Sequence, residues 1–377
     1  MSQERFKENT SDSFYGRFLY EQVVPKDHFL VKLNEIIPWQ RFAYKLVKYY
    51  KGKAKEGRPP YDPAVILKML LVSYLYNISE RQTEEVANLN LAVKYFLGLG
   101  VNEHPPDHTT LTAFKKRILE NGNLMAYEKL FKEIIAIALE KGIQFGSIQV
   151  IDSVHTVADV NVEKDEKRQK DGQPPRDGSA RWGVKGKRVV KDERGRKRKE
   201  RLYFYGYKGH VSMNAQCGLI TTIRASPGSA YDGHYLPSLI ESDLEQSIPV
   251  EIVAADRGYD DGENHKFLRE KGIASAVHLN SYRTQKKDKN KEIWVKLKES
   301  PSYQKGIRER GKIEGKFGEM KEYHGFGRCR YLGLLRYAIQ GYLTAIAVNL
   351  KRIVKLLTGV GFKGPKKSCL SVTCPGT

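Results

Sequence analysis

Cysteine is scarce. The 377 residues hold four, at Cys217, Cys329, Cys369 and Cys374, and only the last two are near each other. That pair has no companion pair or histidine at finger spacing, so neither a disulfide framework nor a zinc finger is expected. Uninterrupted apolar runs of membrane-spanning length are also missing. The most apolar segment, Leu332 to Leu357, is broken by Arg336, Gln340, Lys351, Arg352 and Lys355 and reads as a core helix. The stretch Met1 to Asp12 is polar and charged, with no secretory signal. These absences point to a reduced cytosolic compartment. Acid is in short supply: 44 Asp and Glu stand against 65 Lys and Arg, for a net charge of +21. An excess of that size attracts polyanions, which makes nucleic acid the first partner to consider. Anionic membrane competes, but the basic residues are spread over the whole chain. A hydrophobic content of 40% with 10% aromatics excludes a disordered chain.

The length suffices for about two or three domains. An apolar-periodic segment runs from Phe29 to Tyr50, with Leu30, Leu33, Ile36 and Ile37 on one side. A break follows at Gly57-Arg58-Pro59-Pro60, and Asp62-Pro63 reads as an N-cap followed by proline at the first helical position. The helix it opens carries Val65, Ile66, Met69, Leu70 and Leu75 and should be well buried. A capping start at Ser79 to Glu84 predicts a second helix with Val86, Leu89 and Val93 inward. A third begins near Asp107 and carries Phe114, Ile118 and Leu119. Short helices joined by tight turns, with basic residues at Lys115, Lys116 and Arg117, fit a helix-turn-helix DNA-binding module. A plain helical bundle fits them equally.

A different regime starts near Ile143. Ile148-Gln-Val-Ile-Asp152 reads as a strand ending at an acid, where α/β sheets usually carry chemistry. Residues 161–201 hold 16 Lys and Arg against 8 Asp and Glu and read as a flexible basic insertion that orders on DNA. Leu202 to Met213 and Leu219 to Ile223 form a hairpin across the turn at Asn214 to Gly218. A helix over Tyr235 to Leu244 precedes a buried strand, Val250 to Asp256, ending at another acid. Arg257 to Asp260 then turns into a helix through Phe267 and Leu268, and Ile273 to Leu279 gives a last strand. A polar, lysine-rich stretch from Ser281 to Ser300 leads to a final pair of helical segments. The order is that of an α/β layered domain, and it is the order the ribonuclease H fold uses.

One of those last segments, Arg310 to Lys321, reads as a single helix. At about 100° per residue, Arg310, Glu314 and Lys321 fall within roughly 40° of one another, beside an apolar stripe of Ile313, Phe317 and Met320. By itself this is compatible with a solvated charged face. Three acids nevertheless stand out by position: Asp152 and Asp256 at strand ends, Glu314 on the helix. Mg²⁺ prefers oxygen ligands and is usually held by one or two carboxylates plus substrate phosphate. Two such ions about 3.5–4 Å apart serve an in-line phosphoryl displacement. Strand-terminal aspartates also cap turns. His155 and His210 lie near these elements and read as structural, since imidazole suits other metals better. Asp232, in Tyr-Asp-Gly-His, reads as a helix N-cap. Trp182 and Trp294 read as packed aromatics.

Ile151-Asp152-Ser, Tyr203-Phe-Tyr-Gly-Tyr-Lys-Gly-His210, Ala255-Asp256-Arg-Gly-Tyr-Asp260 and Arg310-x3-Glu314-x6-Lys321, in that order, resemble the DDE-type transposases of bacterial insertion sequences. The resemblance is to the branch with a helical N-terminal domain and runs from roughly Phe29 to Ile353. The family pattern has a tyrosine three residues before the arginine, where this chain has Ile307. The resemblance implies an α/β, ribonuclease H-like mixed sheet with flanking helices, preceded by an all-α, helix-turn-helix-like N-terminal domain. Residues 1–140 would recognise the transposon ends. Residues 141–330, with the insertion at 161–201, would be catalytic, and the helix and tail of 331–377 would pack on that domain. Asp152, Asp256 and Glu314 would be the catalytic triad and hold two Mg²⁺ ions, with Mn²⁺ able to substitute. Arg310 and Lys321, and less centrally Arg257 and Lys208, would contact DNA phosphates. The implied activity is cleavage at the insertion-sequence ends followed by strand transfer. The implied partners are double-stranded DNA (terminal inverted repeats and target) and a second copy of the chain, in a cytoplasmic, nucleoid-associated setting without membrane. A ribonuclease H-fold nuclease that does not join, and an inactive DNA-binding derivative, are the alternatives.

Overall fold

The computed structural model describes residues 14–49, 59–191, 197–281 and 291–362, together with Phe6 and Gly195. The rest of the polar N-terminus, Gly57 and Arg58 at the expected break, residues 282–290 of the lysine-rich stretch, and the tail with Cys369 and Cys374 lie outside those residues. The chain divides into two compact units, Met1–Leu130 with Ile346–Thr377, and Phe131–Ala345. The sequence expectation kept 331–377 with the catalytic region; the division falls inside its helix.

The first unit is helical. It contains α1 (Phe14–Val23), α2 (Phe29–Ile36), α3 (Trp39–Val47), α4 (Pro63–Leu75), α5 (Glu80–Leu89), α6 (Leu91–Leu97) and the first part of α7 (His108–Glu140). The segment read as continuous from Phe29 is split at Pro38, because a residue before proline is pushed to extended backbone and Ile37 takes φ −93°, ψ 119°. Helix α1 has no counterpart in the sequence reading. The Asp62 cap is as expected, its carboxylate accepting the Ala64 N–H at 2.7 Å. Ser79 and Gln82 form a reciprocal capping box at the start of α5. Leu89, expected inward, is 79% exposed. Thr83 and Ala87, one turn apart, occupy the buried face instead, and Leu89 lies about 200° round from Ala87. Lys115 is not offered to a partner: its ammonium pairs with Glu80. Near the chain's other end, Phe362 packs edge-on against Phe29 and Tyr76, with centroids 4.9 and 5.2 Å away.

The second unit is built on one mixed sheet of β1 (Ile148–Val157), β2 (Arg181–Lys191), β3 (Lys197–Asn214), β4 (Ile220–Pro227), β5 (Ile252–Ala255) and β6 (Ala274–Val277). Strand β3 pairs antiparallel with β1 and β4, and β1, β5 and β6 run parallel. The order β4-β3-β1-β5-β6 is three antiparallel strands extended by two parallel ones, the ribonuclease H-like arrangement expected. Strand β2 adds to the first half of β3, Lys197 to Gly206.

The insertion is more structured than its composition suggested. It holds α8 (Val162–Lys170), then β2 and the start of β3. Helix α8 is capped by Asn161, with Glu163 and Asp165 in its first turn and Lys167, Arg168 and Lys170 in its last, charges that match the helix dipole. Strand β2 is almost entirely exposed. It is held by backbone pairing to an already anchored strand, which needs no apolar alternation.

Flanking helices are α9 (Leu236–Glu245), α10 (Gly262–Glu270), α11 (Lys291–Glu299), α12 (Pro301–Arg310), α13 (Lys312–His324) and α14 (Leu334–Thr358). Ile151, Val253 and Val277 pack with Leu236, Leu239, Ile240 and Leu268 in one apolar cluster. Helix α12 lies on β5 and β6, and α13 beside β1. No helix among the described residues is long and apolar enough to cross a membrane.

Candidate active site

The site follows from where β5 stops. The parallel pairing of β1 with β5 ends at Ile151 and Ala255, and β1 runs on beyond β5 to Val157, where it bridges to Arg328. Asp152 and Asp256 are the next residues on the two chains, about one strand spacing of ~4.8 Å apart in backbone terms. Each carboxylate accepts the following N–H: Ser153 to Asp152 at 2.7 Å and Arg257 to Asp256 at 2.6 Å. Asp256 is exposed and Asp152 half-buried. Burial pushes the Asp152 carboxyl up to about 7, and the Asp256 and Asp232 carboxylates push the same way, against the Ser153 amide and the Arg310 guanidinium.

Arg310 and Glu314 do not share one helix. Arg310 ends α12 and Glu314 sits in the first turn of α13, with Gly311 between. Gly311 keeps right-handed helical backbone (φ −61°, ψ −19°), and the Glu314 N–H bonds back three residues to the Gly311 carbonyl. The break is small enough that Arg310 Nη2 still lies 3.3 Å from Glu314 Oε1. The Glu314 side chain is 63% exposed, while Ile313, Phe317 and Met320 are buried as their stripe required. Arg310 therefore touches one proposed acid and acts electrostatically on another.

Lys321 sits farther along α13, its Nζ 3.4 Å from Nε2 of His155 on β1. Burial lowers the Lys321 pKa, Lys185 adds to that, and Asp152 opposes it. Burial also lowers His155, to about 4, with Lys321, Lys185 and Lys208 contributing. Lys208 is engaged within the fold: its Nζ donates to Ala230 O and to Asp232 Oδ1, both at 2.9 Å. Arg257 Nε donates to His278 Nδ1 at 3.1 Å.

Asp232 is not a helix N-cap. It begins the short 3-10 turn Asp232–Tyr235, whose cap is Tyr231, and its carboxylate faces Lys208 and adds charge beside Asp152. Sequence reasoning missed this role, although an acid just beyond β4, next to a lysine-bearing strand, was a usable signal. Buried Tyr259 was missed as well; the charges of Asp232, Asp152 and Asp256 all act on its hydroxyl. His210 is buried, stacked on Tyr235 at 3.8 Å, with Nε2 2.8 Å from Ser226 Oγ. Trp294 packs near His265, whereas Trp182, expected to be packed, is 51% exposed on β2.

Among the described residues, the acidic or imidazole group of three whose ligand atoms all lie within 4.8 Å is Glu84, Asp107 and His108, in the helical unit. Asp152, Asp256 and Glu314 are not drawn in to that spacing. The donor chemistry at the strand ends still suits a hard divalent cation: carboxylate oxygens, one of them with its proton affinity raised by burial and by like charge.

Residues 18–117 match the family described as Transposase domain (DUF772), and residues 154–350 match the Transposase DDE domain. Among solved structures, the Mos1 transposase paired-end complex with left transposon end aligns at 13% identity over 84% of this chain and 92% of that one, with a TM-score of 0.21. So loose a superposition supports nothing further. The DDE match covers more than half of the chain and spans Asp256, just past β5, and the helices α12 and α13 that carry Arg310, Glu314 and Lys321: this chain belongs to the DDE transposases of insertion sequences.

Proposed function

We propose that this transposase cuts DNA at the ends of its insertion sequence and joins the freed 3′-hydroxyl to target DNA, with Mg²⁺ held by Asp152, Asp256 and Glu314. The observation that carries the reading is the placement of Asp152 and Asp256 just past the last rung of two parallel strands, with Arg310 acting on Asp152. When bound, the metal supplies a lowered pKa for the attacking water or hydroxyl and charge compensation at the leaving oxygen. Asp152 and Asp256 are the pair whose mutual repulsion a cation relieves. Glu314, exposed and held by one ion pair, would be free to hold a cation at little cost in lost pairing. Arg310 would offer its planar fork to a phosphate oxygen, offsetting the charge that develops in the transition state. Lys321 adds a point charge on the same strand edge. Lys208, already neutralised by Asp232, holds the wall of the site more than it grips DNA, and Arg257 serves as a peripheral phosphate contact.

Residues 1–140 recognise the terminal inverted repeats, and two copies of the chain hold two ends together, as a joining reaction between ends requires. The test is a cleavage and joining assay on linear DNA carrying the genomic repeats, with a supercoiled target. Wild type with Mg²⁺ or Mn²⁺ should give cut ends and joined products, with neither in EDTA. Asp256→Asn and Glu314→Gln should abolish both while leaving binding in EDTA intact. Cleavage that survives Glu314→Gln would sink the triad assignment, and cutting without joining would leave a nuclease.

A further inference from the structure

The basic insertion reaches the active site through one irregularity in β2. Pairing with β3 runs from Val184 opposite Tyr203 to Gly186 opposite Leu202, which leaves Lys185 without a partner across the ladder. An extra residue in one strand bends it and re-aims a side chain, and such bulges recur next to active sites. Gly186 accommodates the bend at φ 153°, a value other residues rarely adopt.

The bulge takes Lys185 out of the β2–β3 ladder, and its charge acts on both His155 of β1 and Lys321 of α13. His155 Nε2 lies 3.4 Å from Lys321 Nζ, and its ring rests on Phe204 with centroids 5.1 Å apart. The neighbouring Lys208, opposite His155 across the β1–β3 ladder, is matched by Asp232 at 2.9 Å. Lys185 and Lys321 have no such ion pair among the described residues; Asp152 is the carboxylate whose charge acts on Lys321. One ammonium group thus touches an imidazole, and the charge of a second acts on both, with no carboxylate paired to either lysine among the described residues. A metal cation would be repelled there. A phosphodiester, with two non-bridging oxygens and one negative charge, could accept from both lysines and from the single N–H of a neutral imidazole.

We propose that Lys185, Lys321 and His155 form one seat for a DNA backbone phosphate neighbouring the scissile one, and that the insertion exists partly to deliver Lys185 to it. The inference rests on the reading that this chain acts on DNA. Its phosphate can come from a transposon end or from target DNA, and the experiment separates the two.

The full chain is titrated in EDTA, by fluorescence anisotropy, with a duplex bearing the genomic inverted repeat and with an unrelated duplex. Both duplexes are also made with neutral methylphosphonates walked along each strand. Wild type should lose affinity at particular positions. Lys185→Ala should flatten the dependence of log Kd on log salt by about one unit and lose its sensitivity at one of those positions. Lys321→Ala and His155→Ala should lose sensitivity at the same position, whereas Lys187→Ala, one residue past the bulge, should keep it. The duplex on which this occurs names the source of the phosphate. Unchanged thermal unfolding of Lys185→Ala excludes a folding defect. If Lys185→Ala keeps the full wild-type profile on both duplexes, or loses sensitivity at a different phosphate from Lys321→Ala, the seat is wrong. Cleavage of the repeat duplex by wild type with Mg²⁺ is scored separately. Cleavage with an unchanged Lys185→Ala profile overturns the seat alone; a changed profile without cleavage keeps the seat and overturns transposition.

Discussion

A carboxyl group pushed up to about 7 by burial and two like charges, as Asp152 is, stays ionised poorly and gains much from a cation. Its folded-state pKa lies above the ordinary carboxylate value. The stabilisation from its proton is therefore complete below about pH 4 and disappears as pH rises through about 7. A metal must displace that proton, so Mg²⁺ binding should release about one proton per site at pH 6 and almost none at pH 8. Calorimetry in buffers of different ionisation heat measures the release, and equal release at both pH values would remove Asp152 from the ligand set. Asp243 separates the same physics from catalysis. It is fully buried, it accepts from Ser212 Oγ at 2.5 Å and Thr222 Oγ1 at 2.7 Å, and burial still raises its pKa to about 6. The sign is again that of a raised carboxyl, with stability lost as pH climbs through about 6. Asparagine does not titrate, so the stability of wild type minus that of Asp243→Asn should fall by about 2 kcal/mol from pH 4 to pH 8. Denaturant titrations at each pH read it directly, and a flat difference would mean the hydroxyl donors already hold the carboxylate ionised.

Helix α12 fixes where Arg310 stands, and a glycine fixes where α12 stands. A Cβ on Gly306 would run into the Ala276 side chain and lie 3.0 Å from Ile252 Cγ2, so the helix touches β5 and β6 only because that atom is missing. Gly306→Ala gains helix propensity of about 1 kcal/mol but overpacks a core contact, at a cost of roughly 1–3 kcal/mol. It should displace Arg310 and Glu314 and lower the cleavage rate about tenfold or more, with little change in DNA affinity in EDTA. Unchanged cleavage would show that α12 has room to move. The elements legible in the sequence were those whose signals are local. Asp62-Pro63 and Ser79 to Gln82 announced helix starts, and the strand before Asp256 was an apolar run ending at an acid; β1, read as ending at Asp152, instead continues to Val157. Features decided by distant partners were not legible. Strand β2 forms because β3 is already anchored. Asp232 turns to Lys208 across two strands, and Lys115 to Glu80 across two helices. The break at Gly311 preserves the spacing of Arg310 and Glu314, so the helical wheel gave a correct pairing from an incorrect helix. The bulge at Lys185 left no trace in composition at all.

At the scale of the whole chain, the helical unit is completed by residues from the far end of the sequence. Leu350, Ile353 and Val354 are fully buried and belong to the same compact unit as α1 to α6. Phe362 sits within 5.2 Å of both Phe29 and Tyr76, with Lys351 Nζ 5.7 Å from its ring. A fragment ending at residue 140, the boundary that sequence reading suggests for a DNA-recognition domain, removes all of these groups. It exposes the apolar surface they cover, and a small unit has little stability to spare. Such a fragment should keep helical circular dichroism yet melt broadly and bind a hydrophobic dye, because specific packing is lost before secondary structure. Trp39, its single tryptophan and a buried one, reports the change by fluorescence. Fusing residues 346–377 to the fragment should restore a cooperative melt. In the full chain, Phe362→Ala should cost the helical unit about 1–3 kcal/mol, read from the same Trp39 signal. A fragment that melts as sharply without the C-terminal segment as with it would mean that α1 to α7 form a self-sufficient domain. The C-terminal residues would then be a covering on that domain, and end recognition could be studied on the fragment alone.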